Sequence, residues 1–189
     1  MRVRALAVLS ASLLATANSA FAAADPSRAA RDMYGLFSDA CVDNLAAPGG
    51  PGAWAAKHRL ERIKDASAIK AFAGSDEGAV WEVSTGSNPF ALALRDGGAC
   101  AVYGDKVDIG VVEDQVKGLV EALKGTGRTV TKVKDDTADS DFGLRHSLIY
   151  VASGKSTMTV TLITDEKPGG LFQAAIQISE RLNALGSSR

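Results

Sequence analysis

The chain's scarcest reactive side chains are two cysteines, Cys41 and Cys100, and two histidines, His58 and His146. Such a set is open to four chemistries. A thiol nucleophile needs an imidazole beside it, so a cysteine would have to meet His58 or His146. A redox pair usually stands close together as C-x-x-C, and a zinc site needs more Cys or His ligands than this chain has. The remaining chemistry is a disulfide, for which two cysteines permit one intramolecular pairing.

The compartment decides between them, because disulfides persist where thiols are oxidised. "MRVRALAVLSASLLATANSAFAAADP" sets Arg2 and Arg4 ahead of an apolar run from Ala5 to about Ala17, then places Ala20 and Ala22 as an A-x-A cleavage site. That is the pattern of a secretory signal peptide over residues 1–22. The run is shorter than the roughly 20 residues that cross a bilayer. The first cysteine, Cys41, lies well beyond it, so no lipid anchor is expected. The reading is a periplasmic mature chain, residues 23–189, forming a single domain long enough to bury about 70% of its unfolded surface. A Cys41–Cys100 disulfide is then the expected state, worth about 4 kcal/mol by the loop-entropy model.

The elements that must position these residues follow from periodicity. In "DPSRAARDMYGLFSDACVDNL", Asp25 suits a helix cap and Pro26 the first turn, and Met33, Phe37 and Cys41 recur at i, i+4, which turns the thiol toward the core. "AAPGGPG" breaks the chain, "AWAAKHRLERI" reads as a short helix, and "DASAIKAFAG" as another with Asp65 as cap and Gly74 as stop. From Ala79 the period becomes two: "VWEVST", the turn "GSNP", "FALALR", the turn "DGG" and "ACAVY" form an antiparallel meander that sets Cys100 and Val102 on one face. "VVEDQVKGLVEALKGTG" carries an apolar stripe of Val112, Val116, Leu119, Val120 and Leu123, with Glu113, Asp114, Lys117, Glu121 and Lys124 facing away. Then come "RTVTKVKD", "LRHSLIYVA", "STMTVTLITD" and "LFQAAIQIS", the last read as strand against a possible helix through Leu171, Ala175, Ile178 and Leu182. The order helices, strands, helix, strands predicts an α+β domain: an antiparallel sheet of about six to seven strands, covered on one face by helices.

"SGKST", Ser153 to Thr157, resembles the end of a phosphate loop but has Ile149 where the first glycine belongs and joins two strands, so it reads as a hairpin turn. "DDTADSDFG" gathers Asp135, Asp136, Asp139 and Asp141 in a predicted loop. Calcium favours such oxygens, yet the spacing departs from D-x-D-x-D-G and Tyr150 stands where the bidentate Glu would fall, so a solvated acidic loop is expected and no metal or cofactor. No G-x-S-x-G elbow is present. His146 alternates with Leu144, Leu148 and Tyr150, which suits a hydrogen-bonded strand histidine. Trp54, Lys57, His58, Arg59 and Arg62 would form a basic helix able to receive an acidic partner; its plainer reading is an exposed face with Trp54 folded onto the core. A near-neutral balance offers no general attraction to nucleic acid or to membrane surfaces.

The signal sequence, the helix cysteine in "LFSDACVDNL" and the strand "GGACAVYG" resemble a group of small uncharacterised exported proteins of Gram-negative bacteria. The resemblance covers about the first half of the chain and implies a periplasmic, non-catalytic protein. Two function classes are thereby expected to compete. One is a periplasmic binding or interaction protein, with the immunity-like neutralisation of a partner protein as one form; the alternative is a small periplasmic hydrolase using carboxylates or His146.

Overall fold

Asp25 accepts a hydrogen bond from the Ser27 N–H (3.0 Å) and starts α1, Pro26–Phe37, as its cap. The computed structural model describes residues 25–85 and 88–183; the signal-peptide reading and part of the "GSNP" turn lie outside them. After α1 the chain widens into a π-helical turn, Ser38–Val42, closed by Asp43 N–H to Ser38 O (3.0 Å). Met33, Phe37 and Cys41 are fully buried along this line. Cys41 meets Cys100 in a disulfide with a Cα–Cα distance of 5.4 Å, spanning 59 residues, and so fastens the first helix to the sheet as expected.

Two further short helices follow, α2, Gly50–Lys57, and α3, Ala66–Ala73; the latter is capped by Asp65 (Ala68 N–H to Oδ1, 2.7 Å) and ended by Gly74 in the left-handed region. The strands β1, Ala79–Thr85, β2, Asn88–Leu94, and β3, Cys100–Gly104, make the expected meander. Then α4, Ile109–Gly125, buries the whole stripe read from its sequence. β4, Thr129–Ser140, β5, Gly143–Ser153, β6, Ser156–Asp165, and β7, Ala174–Leu182, form a second meander. β7 pairs antiparallel with β3, joining the two halves into a seven-stranded sheet ordered β1-β2-β3-β7-β6-β5-β4. The molecule is therefore α+β, with the element order the sequence predicts.

The sheet's two faces differ. Strand alternation sends Leu92, Cys100, Val102, Val160, Leu162, Ile176 and Ile178 to the main core under α1, α2 and α4. The N-termini of α1 and α4 are tied together there: Ser27 Oγ donates to Asp108 Oδ2 (2.7 Å) and Asp108 N–H to Pro26 O (3.0 Å). On the opposite face α3 is the one helix among the described residues, packed over Val80, Ala93, Ala101, Tyr103 and Ala175. Beyond it Ile149, Val151, Thr159 and Thr161 of β5 and β6 are half-buried, Thr161 lining a small pocket with Ala71 of α3.

Two expectations are corrected. The helix over "AWAAKHRLERI" stops at Lys57. Arg59 takes φ +56°, Arg59 N–H donates to Ala56 O (3.0 Å) and Leu60 N–H to Ala55 O (3.0 Å), the double bond of a Schellman cap. The chain is thereby freed to run along the outer edge of β1, where Ile63 N–H donates to Val80 O (2.8 Å) and Arg62 bridges Trp81. Pairing at a sheet edge outweighs another turn of helix. Likewise the acidic loop is a strand: β4 continues to Ser140, pairing Asp135 with Leu148 and Asp139 with Leu144. Its carboxylates stay in water along an exposed edge, so the ladder forms without desolvating charge, and a bulge between Lys132 and Lys134 together with alternating charge blunts that edge.

Candidate binding cavity

α3 is held by its last carbonyls. The Tyr103 hydroxyl donates to Phe72 O (2.6 Å) and Arg95 Nε to Ala73 O (3.1 Å), supplying the partners and the positive charge that a helix C-terminus lacks. Arg95 is fixed in turn by donating to Gln177 Oε1 (2.6 Å). Burial pushes the Tyr103 phenol above its ordinary value, the Arg95 charge opposing this only in part, so the hydroxyl stays protonated and donating. The Tyr103 ring stands edge-on to Phe72 (centroids 5.0 Å) and close to Phe172 (5.1 Å). An aromatic wall is thus fixed on the thinly covered face of the sheet.

Against that wall lies a cavity of about 250 Å³. Ile63, Phe72, Tyr103 and Leu171 give it apolar sides, and Glu82 and Asp105 supply its carboxylates. Leu171 is 54% exposed at the rim. The Oδ1 of Asp105 is closed to solvent and has no hydrogen-bond donor among the described residues. Among the described residues neither carboxylate has a cation within salt-bridge distance, although leaving a buried charge-bearing atom uncompensated is costly.

The residues singled out in the sequence are elsewhere. Trp54 and His58 stack (centroids 4.0 Å), with a bond of 2.8 Å between His58 Nδ1 and Trp54 O, and with Lys57 they line a shallow groove shared with Asp39 and Asp43. Arg59 follows in its left-handed turn, and Arg62 leaves the set to donate to Gly78 O (2.6 Å). The five therefore do not form one basic helix face. Asp135 and Asp136, neighbours on a strand, point to opposite faces, and no group of metal-ligating side chains occurs among the described residues.

His146 sits on the helix-covered face at the end of the core, with Nδ1 3.0 Å from Glu113 Oε1 and Nε2 2.9 Å from Asp135 Oδ1. Glu113, expected to face solvent, reaches sideways from α4 to make this contact. Two carboxylate acceptors are both satisfied when both ring nitrogens carry N–H, so the setting favours the imidazolium form. The bond to Asp135, then that to Glu113, raises its pKa above the ordinary histidine value. Asp135, also bonded by Lys132, is held below the ordinary carboxylate range. In that form neither nitrogen offers a lone pair to take a proton from a substrate.

Comparison with family models, curated proteins and solved structures finds no match for this chain. No helix of the described residues is long and apolar enough to cross a membrane.

Proposed function

We propose that this chain is a periplasmic, non-catalytic binding protein that takes a small ligand on the α3 face of its sheet. The observation that carries the reading is the cavity beside the Phe72–Tyr103 wall, apolar at its sides, with Glu82 and Asp105 as the charged residues of its lining. Binding sites combine such walls with few polar groups. The hydrolase alternative is weakened by His146, whose nitrogens are both committed to carboxylates. A partner protein recognised through the Trp54–His58 surface is the less supported form, because Asp39 and Asp43 line the same groove as Lys57 and remove the one-sided charge that would select an acidic partner.

The test sets binding against turnover. Calorimetric titration of the mature protein with 2-phenylethanol, a neutral apolar probe of suitable size, should give saturable heat that disappears in Ala91→Leu, a variant that fills the cavity. Ester, glycan and peptide substrates should show no turnover that depends on His146. Turnover lost in His146→Ala, or absence of saturable heat, would overturn the reading.

A further inference from the structure

The two edges of the sheet are finished differently. At the β1 end the segment after α2 lies along the strand, with Ile63 N–H donating to Val80 O (2.8 Å) and Arg62 bridging Trp81. At the other end β4 is the last strand, and among the described residues no backbone hydrogen bond reaches it from outside the β4–β5 ladder. Alternate residues of an antiparallel edge strand turn their N–H and C=O outward. All 12 residues of β4 therefore border a row of unpaired backbone groups, the template on which a further strand can add.

The charges along that edge are divided by sign. Lys132 and Lys134 stand in its first half, Asp135, Asp136 and Asp139 in its second, and the change falls between Lys134 and Asp135. A second β4 laid parallel in register would set lysine on lysine and aspartate on aspartate, which repels. Laid antiparallel, it sets the basic half on the acidic half. Centred on Asp135, the antiparallel register places Lys134 of each copy directly opposite Asp136 of the other. Both are exposed, and their pairing with Ile149 and Ser147 of β5 puts them on the sheet face away from α4. Within one copy the two lie 3.2 Å apart, a surface pair of small worth that can be exchanged for the intermolecular one. Asp135 meets its counterpart at the axis, but its charge is answered inside each copy by His146 Nε2 (2.9 Å) and Lys132.

We propose that the β4 edge is a self-recognition surface on which a second copy of this chain docks, the two β4 strands pairing antiparallel about a two-fold axis at Asp135 and joining two seven-stranded sheets into one. The charges that guard the edge also select the register. An uncharged strand leaves them unanswered, and centring the pair on Lys134 or Asp136 opposes like charges on the open face. Val133, at the bulge and 57% exposed, is an apolar side chain for the second strand to cover. The β1–β3 end that carries the α3 cavity lies at the far edge of the sheet, so self-pairing leaves it free and does not depend on the ligand reading.

Edge pairing buries little area, so the dimer should be weak and is sought at high protein concentration and low ionic strength. Sedimentation equilibrium of the native protein should show reversible monomer–dimer exchange. Lys134→Glu and Asp136→Lys, each with native circular dichroism, should weaken self-association about tenfold or more, because each opposes like charges twice per dimer. Mixed together, the two variants should associate with each other as tightly as native copies do: the new carboxylate faces the new ammonium, and Asp136 of the first variant faces Lys134 of the second. A native protein that stays monomeric at every concentration overturns the proposal. So does a dimer that neither single variant weakens, or a mixture that recovers no association.

Discussion

His146 bridges α4 and the β4–β5 hairpin as a cation between Glu113 and Asp135, and the arrangement has a pH signature. Its folded-state pKa is raised. The stabilisation is therefore complete below the unfolded value of about 6.5 and is lost as pH rises through the higher folded value. Denaturation midpoints of the native protein should fall across that window relative to those of His146→Gln, which has no such titration; parallel curves would remove the imidazolium. A second residue-scale outcome concerns Gly104. A Cβ there would lie 2.9 Å from Met33 Sδ and 3.2 Å from both Phe90 and Val107, whereas one on Gly118 of α4 meets nothing within 4 Å. Gly104→Ala should destabilise by about 1–3 kcal/mol, and Gly118→Ala should stabilise by up to about 1 kcal/mol, both read from chemical denaturation. At this scale the sequence was informative where a residue's surroundings are set by its own element. Alternation put His146 on a strand face, but the Glu113 contact depends on how far α4 lies from β4, which no local period encodes.

Among elements, legibility followed the strength of the local pattern. Met158, Val160 and Leu162 alternate with threonines and are buried in β6, and the α4 stripe is buried residue for residue. The helix after Trp54 was misjudged because its stop uses Arg59 in a conformation that glycine ordinarily supplies, and because the pull came from the distant β1 edge. Strain of that kind costs about 1–2 kcal/mol for an L-residue, so Arg59→Gly should raise thermal stability where Arg59→Ala does not; equal melting temperatures would mean the left-handed turn is unstrained. The acidic run of β4 was misjudged for a related reason: Asp disfavours strands intrinsically, but cross-strand pairing with β5 along a solvated edge decides the outcome. Strand character for Ala174–Leu182 was legible, and its pairing with both β3 and β6 accounts for it.

At the scale of the whole molecule, one covalent bond and one thinly covered sheet face organise the account. The disulfide was legible from the cysteine count and the signal-peptide pattern read together, since it is the one pairing available. Both sulfurs lie in the main core, and the crosslink spans 59 residues. Converting both cysteines to alanine should cost about 4 kcal/mol in unfolding free energy; a loss near zero would mean that the core holds α1 without it. The cavity was not legible, because Ile63, Phe72, Glu82, Tyr103 with Asp105, and Leu171 come from five separate stretches of chain that only the tertiary fold assembles. The most direct test of ligand binding on the α3 face is a heteronuclear NMR titration of the protein with 2-phenylethanol. Saturable shifts are expected, centred on Phe72, Ala91, Tyr103 and Leu171, with the α4–β4 side of the molecule unmoved. Shifts centred on His146 and Glu113, or no saturable shifts at all, would contradict it.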